Sequence, residues 1–254
     1  MKALRLERIM TILKSRGYAT VEELARELGV SEVTIRRDLD ELKRQGLVDR
    51  KRGGAILRSI HYEMPFFMKL EKNKEEKIRI AKKAVELLSN GWTIFAMGGT
   101  TVYYAIQELN GSSIQDLTII TNSITTAWAV INLKKEYDLV HTGGMVRRGS
   151  FECIGEQVVD VIDHIKFDAV IMGADGIDPV EGVTVSNYSE SLIARKIADR
   201  SKLVLLLSDH EKLGTVRSYK ALDVRDIDIL IIDSEASREM LEDISNLGVR
   251  VYTV

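Results

Sequence analysis

The stretch Thr20-Val-Glu-Glu-Leu-Ala-Arg-Glu-Leu-Gly-Val-Ser-Glu-Val-Thr-Ile-Arg-Arg-Asp-Leu39 decides the fold of the first part of the chain. Thr20 and Glu23 form a T-x-x-E capping box, which indicates the start of a helix that Gly29 ends. Ser31 is placed to cap a second helix, and the apolar residues of both segments recur at helical spacing. Two helices joined by so short a turn predict a helix-turn-helix.

The sequence on either side extends this unit to a winged helix-turn-helix. Leu6, Ile9, Ile12 and Leu13 recur at helical spacing and predict a preceding helix. Residues 47–56 indicate two short strands around a basic, glycine-containing turn. Such a hairpin is typical of a wing that contacts the DNA backbone or the minor groove.

The second helix of the pair is predicted to enter a major groove. At 100° per residue, the face opposite Ile35 and Leu39 carries Val33, Arg37 and Arg44. Guanidinium groups near the helix start suit guanine, and methyl groups suit thymine. The alternative is a protein-docking module with a solvated charged face. The predicted DNA-binding residues are Ser31, Val33, Thr34, Arg36, Arg37, Arg44, Arg50, Lys51 and Arg52.

The charge distribution favours nucleic acid as the partner of this front end. Residues 1–58 hold fourteen Lys and Arg against nine Asp and Glu, a net charge of +5. Residues 59–254 hold twenty-two against twenty-nine, a net charge of −7, so the overall −2 hides a basic segment. A basic segment in an otherwise acidic chain is typical of a DNA-binding part.

The length and composition limit which other classes of protein this chain can belong to. A chain of 254 residues with 45% apolar content suits two domains. No apolar run approaches the ~18 residues of a membrane span, and no secretory segment is visible, so we expect a cytoplasmic protein without a membrane partner. Cys153 is the only cysteine, and the four histidines lack metal-binding spacing. The sequence therefore predicts neither a metal nor a cofactor.

The rest of the chain predicts an α/β domain. Residues 1–57 are assigned to the DNA-binding domain, 58–74 to a linker whose apolar residues should pack on a domain or a second subunit, and 75–254 to the α/β domain. Helical patterns there alternate with β-branched runs, which predicts a mainly parallel sheet. The predicted strands are 93–97, 117–121, 138–141, 168–172, 203–207, 229–232 and 249–253.

The loops after these strands are the candidate ligand site, because α/β sheets bind ligands at the carboxyl ends of their strands. Gly98-Gly99 before a predicted helix at 102–109 offers backbone N–H groups for a phosphate. Ordinary turn chemistry is the alternative for each loop taken alone. The candidate effector-binding residues are Gly98, Gly99, Thr100, Thr101, Asn122, Ser123, Arg147, Asp175, Gly176, Asp209 and Lys212.

These motifs resemble the DeoR family of bacterial transcriptional regulators. The helix-turn-helix stretch 30–39 with Gly53-Gly54-Ala55 matches the family signature, and the loops at 98–101, 121–123, 143–144, 173–176 and 209–212 follow in the family's order. The resemblance implies a C-terminal fold similar to ribose-5-phosphate isomerase and CoA transferases. It also implies a repressor of carbohydrate catabolism that binds double-stranded operator DNA as a homodimer or higher oligomer. A phosphorylated sugar or related metabolite would release it.

Two further hypotheses stay open at this level. One is a sugar-phosphate isomerase with an accessory DNA-binding domain, because Gly173-Ala174-Asp175-Gly176-Ile177-Asp178 resembles an isomerase G-A-D-E-[IV]-D run. Gly176 replaces the acid of that run and no substitute base is visible, so the sequence predicts no enzyme. The other hypothesis makes the C-terminal domain a ligand-free oligomerisation scaffold. One departure from the family is Met97-Gly98, where members often carry an acid and a hydroxyl.

Overall fold

The computed structural model describes residues 2–16, 18–51, 53–57 and 66–254. The chain divides into two compact units, Met1–Glu71 and Lys72–Val254. The division falls within the predicted linker, of which residues 58–65 lie outside the described part. The apolar end of that linker forms a short helix in the first unit, with Phe66 buried and Phe67 exposed.

The first unit is a winged helix-turn-helix, as predicted. Its first three helices enclose an apolar core, and a small antiparallel sheet of order β1-β3-β2 closes one side. The sequence analysis missed its first strand, which is too short to show an alternating pattern. The elements are α1 (Lys2–Arg16), β1 (Tyr18–Thr20), α2 (Val21–Leu28), α3 (Glu32–Arg44), β2 (Val48–Lys51), β3 (Gly54–Leu57) and α4 (Phe66–Leu70).

The predicted caps set the ends of these helices. The Thr20 hydroxyl accepts from the amide of Glu23 at 3.1 Å, and the Glu23 carboxylate accepts from the amide of Thr20 at 2.8 Å. Ser31 caps α3 through the amide of Thr34, and Gly29 ends α2 in the left-handed conformation. Glycine is required at position 54, because a Cβ there would lie 2.2 Å from the carbonyl oxygen of Ala19 on the paired strand.

The second unit is a three-layer α/β domain. The seven strands of its main sheet follow the predicted runs, with ends shifted by no more than about a residue, and the helix after Gly99 starts two residues earlier than predicted. The elements are α5 (Lys74–Glu86), β4 (Thr93–Ala96), α6 (Thr100–Glu108), β5 (Thr118–Thr121), α7 (Ile124–Ile131), β6 (Asp138–His141), β7 (Met145–Val146), β8 (Cys153–Ile154), α8 (Glu156–Asp163), β9 (Ala169–Met172), β10 (Gly176–Asp178), β11 (Gly182–Val185), α9 (Tyr188–Asp199), β12 (Val204–Ser208), β13 (Tyr219–Leu222), β14 (Ile229–Ile232), α10 (Arg238–Asn246) and β15 (Arg250–Thr253).

The main sheet has the order β15-β14-β12-β9-β4-β5-β6, and every neighbouring pair is parallel. The chain builds from β4 to β6 in one direction and then returns to β9 on the other side of β4. The topological switch point therefore lies between β4 and β9, where a crevice forms at the carboxyl ends of the strands.

Two smaller sheets were not predicted. The strands β10, β11 and β13 form an antiparallel sheet, and β7 pairs with β8 in a two-stranded arm. These strands of two to four residues carry too little alternation and, unlike the strands of the main sheet, do not follow a helical pattern in a repeating β-α order. Among the described residues, none of the helices combines the length and the apolar character needed to cross a bilayer.

Candidate DNA-binding and effector sites

The start of α3 presents an exposed face, as a recognition helix requires. Val33 is 60% exposed, and Arg37 and Arg44 are also exposed. Thr34 is half-buried, and its hydroxyl lies 2.9 Å from the hydroxyl of Ser31. Arg36 donates to Glu32 one turn earlier at 2.8 Å, which leaves Arg37 as the exposed guanidinium in this turn without an ion pair among the described residues.

The wing is tied to α3 by Arg50. Its guanidinium contacts the Asp40 carboxylate at 2.8 Å and the Arg36 carbonyl oxygen at 3.3 Å. Arg50, predicted as a phosphate contact, thus also fixes the angle between β2 and α3. The other two predicted wing residues are Lys51, which lies in β2, and Arg52, which is outside the described residues.

A partly buried ion pair that the sequence analysis missed holds α3 against α1. Arg5 donates from Nε to the Asp38 carboxylate at 2.5 Å and from a terminal nitrogen at 3.2 Å. Asp38 is buried, and the bond to it raises the pKa of Arg5. The bidentate pair fixes the side of α3 opposite the exposed face.

At the switch point, Gly98 and Gly99 follow β4 and lead into α6. Gly99 is in a positive-φ conformation at the helix start, and α6 has no side-chain cap. An uncapped helix N-terminus leaves backbone N–H donors for an anion. Thr100 and Thr101 are buried in the first turn. These four predicted residues form one continuous loop and helix start.

Glu152, not predicted from the sequence, lies directly against this loop. A Cβ on Gly98 would stand 1.9 Å from the Glu152 Oε1, so only glycine leaves room for that carboxylate. Glu152 is 8% exposed and sits on the segment leading into β8, which runs beside Ser123 in an isolated antiparallel bridge. A buried carboxylate beside a phosphate loop is suited to accept hydrogen bonds from hydroxyl groups.

Asn122 and Ser123 follow β5, the strand next to β4. The Asn122 amide nitrogen donates to the carbonyl of Cys153 at 2.9 Å, and its buried Oδ1 has no hydrogen-bond partner among the described atoms. A buried unsatisfied acceptor is uncommon and suits a ligand donor. Ser123 caps α7 by accepting from the amide of Thr126, so this residue has a structural role.

Arg147 is paired inside the domain rather than presented alone to an anion. Its guanidinium contacts the buried carboxylate of Glu190 in the first turn of α9, and it donates to the Ser150 hydroxyl at 3.3 Å. Glu190 was also missed by the sequence analysis. The pair joins the β7–β8 arm to α9.

Asp175 and Gly176 follow β9 on the other side of the switch point. The Asp175 carboxylate accepts from the amide of Ser186 at 3.0 Å. A Cβ on Gly176 would lie 2.1 Å from the carbonyl oxygen of Thr215. An acid at position 176, which the isomerase run carries, would therefore meet the backbone of the 209–217 loop.

Asp209 and Lys212 follow β12, two strands from β4 and thus about 10 Å across the sheet. Asp209 is buried and caps its own turn through the amide of Glu211. Lys212 is half-buried. Burial of His210 in this turn disfavours its charged form and acts to lower its pKa. The Asp233 carboxylate, 2.9 Å from Nδ1, stabilises the charged form by more than burial destabilises it, so the pKa of His210 is raised.

The structure thus arranges the predicted residues in two groups. In the first, Gly98 and Ser123 lie against Glu152, with Gly99 to Thr101 and Asn122 adjoining them in the same two loops. In the second, Asp175 and Gly176 lie with the 209–217 loop, whose Gly214 amide donates to the Ile177 carbonyl at 2.7 Å. The segment from Ser186 to Glu190 connects the two groups. It contacts Asp175 at one end and Arg147 at the other, and the Arg147 amide donates to the Glu152 carbonyl at 2.9 Å.

Comparison with known proteins finds matches over nearly the whole chain. The chain is 31% identical to the HTH-type transcriptional repressor GlcR of Bacillus subtilis, covering 97% of this chain and 94% of that protein. It is 36% identical to the glycerol-3-phosphate regulon repressor of Escherichia coli over 81% of each. The lactose phosphotransferase system repressor of Lactococcus lactis is 32% identical over 96% of each.

Among solved structures, ribose 5-phosphate isomerase A from Methanocaldococcus jannaschii aligns with a TM-score of 0.41 and 17% identity. The alignment covers 56% of this chain and 55% of that protein, and a likeness of this degree does not bear on activity. Two family descriptions match the chain itself. The DeoR-like helix-turn-helix domain matches residues 5–61 and the DeoR C terminal sensor domain matches residues 72–234, so the chain belongs to the DeoR family.

Proposed function

We propose that this chain is a transcriptional repressor of carbohydrate or polyol catabolism genes, released from its operator by a phosphorylated sugar or a related metabolite. The observation that supports DNA binding is the exposed face of α3, which presents Val33, Arg37 and Arg44 in a basic unit. The observation that supports effector binding is the Gly98-Gly99 loop at the switch point, which leads into a helix without a side-chain cap.

The site supports ligand sensing better than isomerase chemistry. The space that an acid would need at position 176 is occupied by the Thr215 carbonyl, and Arg147 is neutralised by Glu190. We infer that Asn122 Oδ1 and the Glu152 carboxylate accept hydrogen bonds from the hydroxyl groups of the effector, while the α6 N-terminus binds its phosphate. We expect incubation with ribose 5-phosphate to give no ribulose 5-phosphate.

A two-step experiment tests the proposal. Selection from a random duplex library would first yield an operator sequence, and thermal shift would then screen phosphorylated sugars and polyols, including glycerol 3-phosphate, against their unphosphorylated counterparts. A ligand at 100 times its Kd stabilises the native state by about 2.7 kcal/mol. The proposal expects a phosphorylated hit that lowers operator affinity. Failure to select any duplex sequence, or a hit without effect on operator affinity, would contradict it.

Two arginine variants test the orientation of α3. Arg37→Ala should cost about 1–3 kcal/mol of operator binding and relax the base preference at one position, because its guanidinium is placed for a base edge. Arg44→Ala, at the last turn of α3, should weaken all duplexes alike and lower the salt slope by about 1, as loss of a phosphate contact does. Fluorescence anisotropy against salt concentration measures both. If Arg37→Ala lowers affinity uniformly, the helix is oriented differently.

We further propose that the turn after β12 couples the effector to the DNA-binding unit. Lys72, the first residue of the second unit, lies 2.5 Å from the Glu211 carboxylate. Burial acts to raise the pKa of Glu211, but the hydrogen bond and positive charge of Lys72 act more strongly in the other direction. The pKa of Glu211 is therefore lowered. The carbonyl of Lys72 also accepts from the buried amine of Lys77 at 2.6 Å. A shift of the 209–212 turn would thus act on the residue where the connection to the first unit begins.

Glu211→Gln tests this coupling. A tenfold effect of the effector on operator affinity equals about 1.4 kcal/mol of coupling, and we expect the variant to lose most of it while effector and operator each still bind. The measurement is operator affinity with and without saturating effector. Lys202→Met, which removes an ion pair to Asp168 elsewhere in the domain, is the matched control. An unchanged ratio in Glu211→Gln would contradict the coupling but not the proposed function.

A further inference from the structure

The strand β6 leaves one edge of the main sheet open within the described residues. The amides of Asp138 and Thr142 donate to the carbonyls of Leu117 and Thr121 at 3.1 and 3.0 Å. Since successive residues of a strand direct their backbone groups to opposite sides, the N–H and C=O groups of Leu139 and His141 face away from the sheet. An open edge of this kind is a template for another strand.

Exposed apolar side chains flank this edge. On α7, Ile124, Trp128 and Ile131 are spaced at i, i+4 and i+7 and are 41, 62 and 67% exposed, whereas the other side of the helix is buried. Val140 in β6 is 42% exposed. We define the edge patch as these residues with two neighbours in β7: Ile124, Trp128, Ile131, Val140, Met145 and Val146.

The edge patch is large enough for a protein interface. It contains six of the fourteen exposed large apolar side chains of the described residues, within a stretch of twenty-three positions. Side chains of this size and exposure amount to on the order of 600 Å², against about 800 Å² per partner in a standard interface. Trp128 is the kind of central aromatic residue that dominates binding energy.

We propose that the edge patch joins two copies of this chain, with β6 pairing antiparallel to its counterpart about a twofold axis. In antiparallel pairs, residues whose backbone groups face the partner lie opposite one another. The register that uses both Leu139 and His141 within β6 places Leu139 opposite His141 of the second copy. Val140 then lies on the axis, opposite itself.

The charged side chains next to β6 are compatible with the approach of a second copy of the chain. Lys134 and Lys135 balance Glu136 and Asp138, so two copies meet without an excess of either sign. In addition, the Lys135 amine donates a hydrogen bond to the carbonyl of Ile114 at 3.2 Å. The inference takes from the proposed function the need for two helix-turn-helix units on a repeated operator, which a twofold dimer supplies.

Cysteine cross-linking tests the axis directly. Opposed residues in a non-hydrogen-bonded pair have Cα atoms about 4.5 Å apart, within the range of a disulfide. Under mild oxidation without DNA or effector, full-length Val140→Cys should therefore form a covalent dimer. Leu139→Cys is the register control because its counterpart is out of reach, and Val180→Cys, 84% exposed, is the collision control. The native Cys153 is buried.

Light scattering on the full chain gives the second measurement. We expect a dimer that Trp128→Glu weakens by about 30-fold or more, the effect of losing an aromatic hot spot. A monomeric wild-type chain, a dimer that survives Trp128→Glu, or cross-linking at 180 as readily as at 140 would each overturn the proposal. Cross-linking at 139 instead of 140 would overturn the register. None of these outcomes depends on operator or effector binding, so the proposed function is tested separately.

Discussion

Arg5→Met is expected to lower the free energy of unfolding of the first unit by about 3–5 kcal/mol, because it leaves the buried Asp38 carboxylate without its partner. Loss of that magnitude is a large part of the stability of a small domain. Hydrogen exchange of the α3 amides in the full-length chain measures it, since the exchange reports the first unit without interference from the second.

Two comparison variants make the Arg5 prediction specific. Arg16→Met removes an exposed pair in which Arg16 and Glu27 are 2.9 Å apart and 48 and 40% exposed, so it should cost less than about 1 kcal/mol. Arg5→Met combined with Asp38→Leu should recover most of the loss, because the unpaired charge is gone. Equal losses in Arg5→Met and Arg16→Met would show that the pair is not what stabilises α3.

Gly98→Ala is expected to abolish the stabilisation of the second unit by its effector. The new Cβ would lie 1.9 Å from Glu152 Oε1 and 2.3 Å from its Cγ, so the loop and the Glu152 side chain cannot both keep their positions. Thermal shift at a ligand concentration that gives about 2.7 kcal/mol in the wild type should give a shift near zero.

The matched control for Gly98→Ala is Gly111→Ala, where a Cβ would have no heavy atom within 4 Å. It should keep the full ligand response. Adding Glu152→Ala to Gly98→Ala separates the two possible causes, because it removes the clash and the carboxylate together. Recovery of binding would mean that Glu152 only fills space, whereas continued loss would mean that its carboxylate contacts the ligand. A full response in Gly98→Ala itself would remove the loop from the site.

The features that the sequence predicts well are local. The Thr20–Glu23 box and the Ser31 cap involve residues three apart, and both form as predicted. The five inner strands of the parallel sheet are mostly buried, so their apolar, β-branched runs are strong signals. The switch point follows from strand order, which a mainly parallel sheet does not by itself specify.

The features that the sequence leaves out are distant contacts. Arg5 and Asp38 are 33 residues apart, and no periodic pattern relates them. Glu152 reaches Gly98 only because the segment before β8 runs beside Ser123, and Lys72 meets Glu211 across the whole domain. The absence of a side chain at Gly98 and Gly176 was visible, but which atoms approach those glycines was not.

The position of β4 inside the sheet, between β5 and β9, has a consequence for biosynthesis. Its neighbour β9 is 75 residues later, as the bond between the Thr93 amide and the Asp168 carboxylate shows. At about 5–20 residues per second, a ribosome needs roughly 4–15 s to make the intervening chain. During that interval the β4–β6 half of the sheet has apolar strands without their final neighbour. Chaperone binding to nascent chains should therefore peak before residue 170 emerges, after the helix-turn-helix unit has already folded.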